Sequence, residues 1–80
     1  MTPTQEKRER EKFLKQFGEH LKSIRVKKGI TGAELARRCF MEKQNISRLE
    51  KGKFNPSLYY LTKICEGLEI ELEELIKGVK

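Results

Sequence analysis

The sequence predicts an all-α fold of five helices, the first carrying an N-terminal extension. Apolar residues recur at i, i+3 and i+4 through most of the chain, which is the spacing of amphipathic helices. Helix punctuation falls between those stretches, at Gly29, Thr31, Gly52 and Pro56-Ser57. Length bounds the answer further: 80 residues have room for one small domain. A single core of that size is marginal, so association between copies helps it.

Residues 1–12 form a charged extension and 13–80 the domain after it. In the extension Glu6, Glu9 and Glu11 alternate with Lys7, Arg8, Arg10 and Lys12. Glu6–Arg10 and Glu11–Lys15 are i, i+4 pairs, each favouring helix by about 0.3–0.5 kcal/mol. Thr4, after Pro3, is the expected cap, with helix from about Gln5 running on into helix one; a mobile arm is the alternative. Leu14, Phe17, Leu21 and Ile24 repeat at 3, 4 and 3 as the inward stripe, and Phe13 broadens it. Gly29 ends the helix after Lys27 and Lys28, whose charges suit the negative end of the helix dipole. Ile30 then enters the core.

Two short helices come next, over 32–39 and 43–51. Thr31 caps the first, with Glu34 three residues on to complete a capping box. Leu35, Ala36 and Cys39 share one face of it, and Ala36 is small enough for close approach. The second buries Ile46 and Leu49. Neither is long enough to stand alone, so they pack on each other and on a third element. The second helix then turns Lys43, Gln44, Asn45, Ser47 and Arg48 outward, residue types that bond phosphates and base edges. Two helices joined by a tight turn, with such a face, are the physical content of a helix-turn-helix. Gly52 permits the next reversal, and Pro56 with Ser57 begins a fourth helix. Leu58, Leu61, Ile64, Cys65 and Leu68 are its expected buried stripe, and at least one of Tyr59 and Tyr60 stays partly exposed. Ile70, Leu72, Leu75 and Ile76 carry a short fifth helix, with Glu71, Glu73 and Glu74 at its start.

Arg25, Gly29-Ile30-Thr31, Glu34-Leu35-Ala36, Ile46-Ser47-Arg48-Leu49-Glu50, Gly52 and Asn55-Pro56-Ser57-Leu58 stand at spacings similar to those of the lambda-repressor-like (Cro, or XRE) family. The resemblance covers 17–76 and holds across all five helices. It implies sequence-specific binding of double-stranded DNA by a small transcriptional regulator that represses by occluding polymerase. Base reading falls to Lys43, Gln44, Ser47 and Arg48, with Asn45 on a base or a phosphate. Gln suits adenine and Arg suits guanine, at about 1–3 kcal/mol of discrimination per good bidentate pair. Backbone contacts fall to Thr31 and Gly32 at a helix start and to Lys51, Lys53 and Asn55 after the reading helix. The resemblance also implies an ion pair between Arg25 and Glu50, and a homodimer. Leu72, Ile76 and Val79 are the expected dimer surface, joined by Phe54 and Tyr59 or Tyr60; the N-terminal extension is the rival.

Four residues depart from the family pattern. Gly32 stands where Gln usually reaches a phosphate. Phe40 stands where the turn usually has Gly, so it distorts the turn or uses a different one. Glu42 opens the reading helix, where its charge suits the dipole but repels phosphate. Glu69 replaces a Gly at a helix end. Gly32, Phe40 and Glu42 keep open a protein-interaction module that has lost DNA binding, and the resemblance itself, which extends to such proteins, keeps open an antitoxin with a toxin as protein partner.

Charge distribution agrees with a polyanion-binding face. The net charge is +6. Between Lys22 and Lys63 eleven basic residues face Glu34, Glu42 and Glu50, a balance of +8, whereas Glu66 to Glu74 holds five acids and no base. There is no long apolar run for a membrane span and no apolar segment behind the N-terminal charges for a signal peptide. A cytoplasmic setting is expected. Cys39 and Cys65 lack a CxxC spacing and fall on apolar faces, as buried free thiols. His20 is the single histidine, expected in solvent without a partner. No catalytic constellation, metal set or cofactor motif is visible, so the chain does not read as an enzyme.

Overall fold

A computed structural model describes residues 2–79, which form five helices and no strand: α1 (Pro3–Lys27), α2 (Gly32–Cys39), α3 (Lys43–Glu50), α4 (Leu58–Leu68) and α5 (Leu72–Ile76). The first helix starts earlier than its sequence suggests. Thr2, not Thr4, is the cap: its hydroxyl accepts from the Gln5 backbone N–H (3.2 Å), and its own N–H donates to Gln5 Oε1 (2.9 Å). Pro3 supplies a preset φ at the first helical position. The helix runs through Lys12 and Phe13 without interruption. Glu6 pairs with Arg10 at 2.9 Å, while Glu11 and Lys15 make no ion pair among the described residues.

Phe17, Leu21, Leu35, Cys39, Ile46, Leu49, Ile64, Leu68 and Leu75 are buried in one core. Helix α2 packs on α3 and α4, α1 crosses α3 and α5, and α4 meets α5. Three residues expected in the core fall outside it: Phe13, Leu14 and Leu58. Phe13 is exposed and Leu14 only half-buried because α1 joins the core from Phe17 onward, through Leu21 and Ile24. Leu58 is exposed as the first residue of α4, beyond the edge of the packed stripe. Cys39 and Cys65 are free and buried. Loss of solvation pushes the Cys39 thiol up to about 11 and raises that of Cys65, so both stay protonated and unreactive at neutral pH.

The α1–α3 crossing is close because residue 18 has no side chain. A Cβ there would lie 2.4 Å from the Leu49 carbonyl oxygen and 2.5 Å from that of Glu50. A mid-helix glycine costs α1 about 1 kcal/mol of propensity; here it lets the last turn of α3 rest on the shaft of α1.

Helices α1 to α4 end alike. A residue in the left-handed region (Gly29, Phe40, Gly52, Glu69) is succeeded by one whose N–H donates five residues back. The pairs are Ile30 to Arg25 O (3.1 Å), Met41 to Ala36 O (2.9 Å), Lys53 to Arg48 O (2.8 Å) and Ile70 to Cys65 O (3.0 Å). Phe40 therefore neither distorts the turn nor replaces it: it adopts the glycine conformation itself, at φ +57°, with its ring in solvent.

Candidate nucleic-acid interface

Helix α3 is set by the residues it buries. Ile46 and Leu49 are within 1% of full burial, which fixes the helix's rotation. Lys43, Gln44, Ser47 and Arg48 are left exposed, with Asn45 half-buried at the edge of that face. Glu42 occupies the N-cap position of α3 but makes no side-chain cap hydrogen bond and is exposed.

The far end of α3 is held by charge. Arg25 Nε donates to Glu50 Oε2 at 2.6 Å, and Nη2 donates to Oε1 at 3.0 Å. Arg25 Nη1 also donates to the Ile30 carbonyl at 2.8 Å. One guanidinium thus fastens the end of α1 to the end of α3. Both side chains are mostly buried, and the Glu50 hydrogen bond raises the Arg25 pKa further above its usual value.

Past that anchor, Lys51, Lys53 and Asn55 are exposed in the α3–α4 loop. None of Lys43, Arg48, Lys51 and Lys53 has an acidic partner among the described residues, whose ion pairs lie on other surfaces. Arg48 has a different neighbour: its guanidinium carbon lies 5.7 Å from the centre of the Phe54 ring. Phe54 is half-buried, packed against the core and beside the Arg48 guanidinium. A lone aromatic in a polar loop was the available signal.

At the start of α2, the Thr31 hydroxyl accepts from the Glu34 N–H at 3.1 Å. The expected capping box is not completed, because the Glu34 carboxylate turns to Arg37 and Arg38. Its ion pair with Arg37 holds that carboxyl below the usual range. Gly32 beside Thr31 is half-buried, with nothing within 4 Å of where a Cβ would stand.

Away from this face, Leu72 and Ile76 are partly exposed on α5, with Leu58 and Tyr59 exposed on α4. Val79, expected with Leu72 and Ile76, is half-buried and packs against the core. His20 is not free in solvent either: its Nε2–H donates to the Glu74 carbonyl at 2.9 Å, tying α1 to α5. No helix among the described residues is long and apolar enough to cross a membrane.

The helix-turn-helix family pattern matches residues 21–75, which takes in α2, the turn, α3 and the core around them. The chain belongs to the lambda-repressor-like (Cro/XRE) helix-turn-helix family. An uncharacterised helix-turn-helix-type transcriptional regulator of Archaeoglobus fulgidus is 38% identical over 55 residues, covering 69% of this chain and 79% of that one. Among solved structures, the restriction-modification controller protein C.AhdI of Aeromonas hydrophila superposes with a TM-score of 0.76 at 32% identity, covering 78% of this chain and 94% of that one. The clp gene regulator ClgR of Corynebacterium glutamicum does so with a TM-score of 0.76 at 28% identity, covering 80% and 83%. This helix-turn-helix chain shares the five-helix, all-α fold of those regulators.

Proposed function

We propose that this helix-turn-helix chain is a cytoplasmic transcriptional regulator that binds double-stranded DNA sequence-specifically, as a homodimer, and represses by occupying its site. The observation that carries the reading is the outer face of α3. Lys43, Gln44, Ser47 and Arg48 are exposed on a helix whose other side is locked into the core, and its cations have no acidic partners among the described residues. Unpaired cations beside hydrogen-bonding side chains on one rigid helix match the chemistry of a major groove and its phosphates. In this reading Gln44 and Arg48 are the bidentate base readers, Lys43 and Ser47 supplement them, and Asn45 reaches a base or phosphate. Thr31 and Gly32 at the start of α2, with Lys51, Lys53 and Asn55, position the backbone. Arg25 and Glu50 keep α3 at its angle.

One reading helix covers few base pairs, and a second copy supplies the second reader. The partly exposed Leu72 and Ile76, with Leu58 and Tyr59 nearby, support a paired surface on α4 and α5 that leaves α3 free. Half-sites would then lie about 34 Å apart. The test is duplex binding across a salt series, with sedimentation of the wild type and of Ile76→Glu. The reading requires affinity that falls steeply with salt and a dimer lost in Ile76→Glu. Absence of duplex binding at low salt overturns it; a monomer at tens of micromolar overturns the dimer.

A further inference from the structure

An open groove of about 650 Å³ lies between the first turns of α1 and the α3–α4 loop. Arg8, Lys12 and Lys15 line one wall, and Lys51 and Lys53 the other. The walls meet at Gly52, where a Cβ would fall 2.7 Å from the Lys15 Cα. Glu11 is the one acid lining it, and the remaining cation, Arg10, is already paired with Glu6.

Arg8, Lys12 and Lys15 succeed one another at i, i+4 and i+7, so they share a face of α1. Like charges at i, i+4 oppose helix formation, and here the row also faces two further lysines. None of the five has an ion-pair partner among the described residues. The row lies outside the core, since Arg8, Lys12 and Lys15 are all exposed. Glu11, four residues before Lys15, offsets part of this repulsion, and an anion outside the chain would offset the rest.

We propose that the N-terminal part of α1 is a second phosphate-binding surface: Arg8, Lys12 and Lys15, with Lys51 and Lys53 across the groove, hold the duplex backbone flanking the sequence that α3 reads. The inference rests on the duplex-binding reading above. The groove is continuous with the reading face because Lys51 comes directly after α3. From Arg8 to Lys15 the helix rises about 10 Å at ~1.5 Å per residue. At about 1.7 Å of duplex axis per charge, that length faces several phosphates. A duplex is favoured over an acidic peptide because the same loop lysines adjoin both surfaces.

The experiment compares the wild type with the triple variant Arg8→Gln, Lys12→Gln, Lys15→Gln, on two duplexes carrying the selected site. One is trimmed to the site and the other extended by about six base pairs on each side. For three lost phosphate contacts, the salt slope on the long duplex should fall by about 2–3. The wild type's preference for the long duplex should disappear, while affinity for the short duplex and the selected sequence stay unchanged. The variant Arg8→Lys, Lys12→Arg, Lys15→Arg should behave as wild type, which separates charge from helix stability. If the triple Gln variant keeps the slope and the long-duplex preference while still selecting the same sequence, the groove assignment is wrong and the reading helix stands. If the wild type binds neither duplex at low salt, the function proposed above falls and the groove assignment with it.

Discussion

The ends of α2 and α4 and the end of α3 share a backbone but differ in the residue just past the left-handed one. Next to Phe40 and Glu69 stand Met41 and Ile70, apolar side chains packed against the core. Next to Gly52 stands Lys53, exposed. Two ends are stapled by burial at the expense of strained residues in the left-handed region. The α3 end has unstrained glycine and no apolar staple, and is held by the Arg25–Glu50 ion pair and the Gly18 crossing. The end of α3 is thus held from behind by an ion pair and a close helix crossing, where α2 and α4 use an apolar staple, which leaves the surface beyond it for cations.

The largest break in that contrast is Glu50→Ala. It strands the buried Arg25 charge, and we expect a loss of about 3 kcal/mol, at the low end for a broken buried pair because Arg25 keeps the Ile30 carbonyl. Urea denaturation measures it, and a loss under about 1 kcal/mol would mean that the anchor is not the pair.

The strained ends give the next effect. Phe40→Gly and Glu69→Gly should each stabilise the fold, by about 1 kcal/mol, because glycine relieves the left-handed strain. Denaturation midpoints check this, and unchanged midpoints would show that the turns carry no strain.

These two residues also mark the limit of how much was legible in the sequence. The bounds of α2 follow from Thr31 and from the spacing of Leu35, Ala36 and Cys39, and α3 from Ile46 and Leu49. The outward face of α3 follows by subtraction. The turn at Phe40 was not legible, because residue preference argues for glycine while the hydrogen bond from Met41 and its burial decide the conformation. The start of α1 was not legible either, because Thr2 and Thr4 are both good caps, and only the reciprocal Gln5 bond chooses between them. The His20–Glu74 contact joins residues 54 apart, a separation no local pattern encodes. Arg25–Glu50 is legible only through resemblance, since neither residue's own neighbours point to the other.

The smallest stability effect sharpens the comparison most. Lys53→Ile gives α3 the apolar residue that α1, α2 and α4 have at this place. Stability should change by no more than about 0.5 kcal/mol, as for other surface substitutions. The salt slope of duplex binding should fall by about 0.9, one phosphate contact. A variant that gains several kcal/mol with the slope intact would make Lys53 a defect of the fold and not a ligand contact.

In the proposed function α3 reads base pairs from its exposed face, with Arg48 as a reader beside Phe54. Selection of bound duplexes from a random pool, run side by side for the wild type and Arg48→Ala, tests it directly. The wild type should select a defined sequence, and Arg48→Ala should lose preference at one base pair per half-site with affinity weakened by about 1–3 kcal/mol. The same selected sequence bound with the same affinity by both proteins would contradict it.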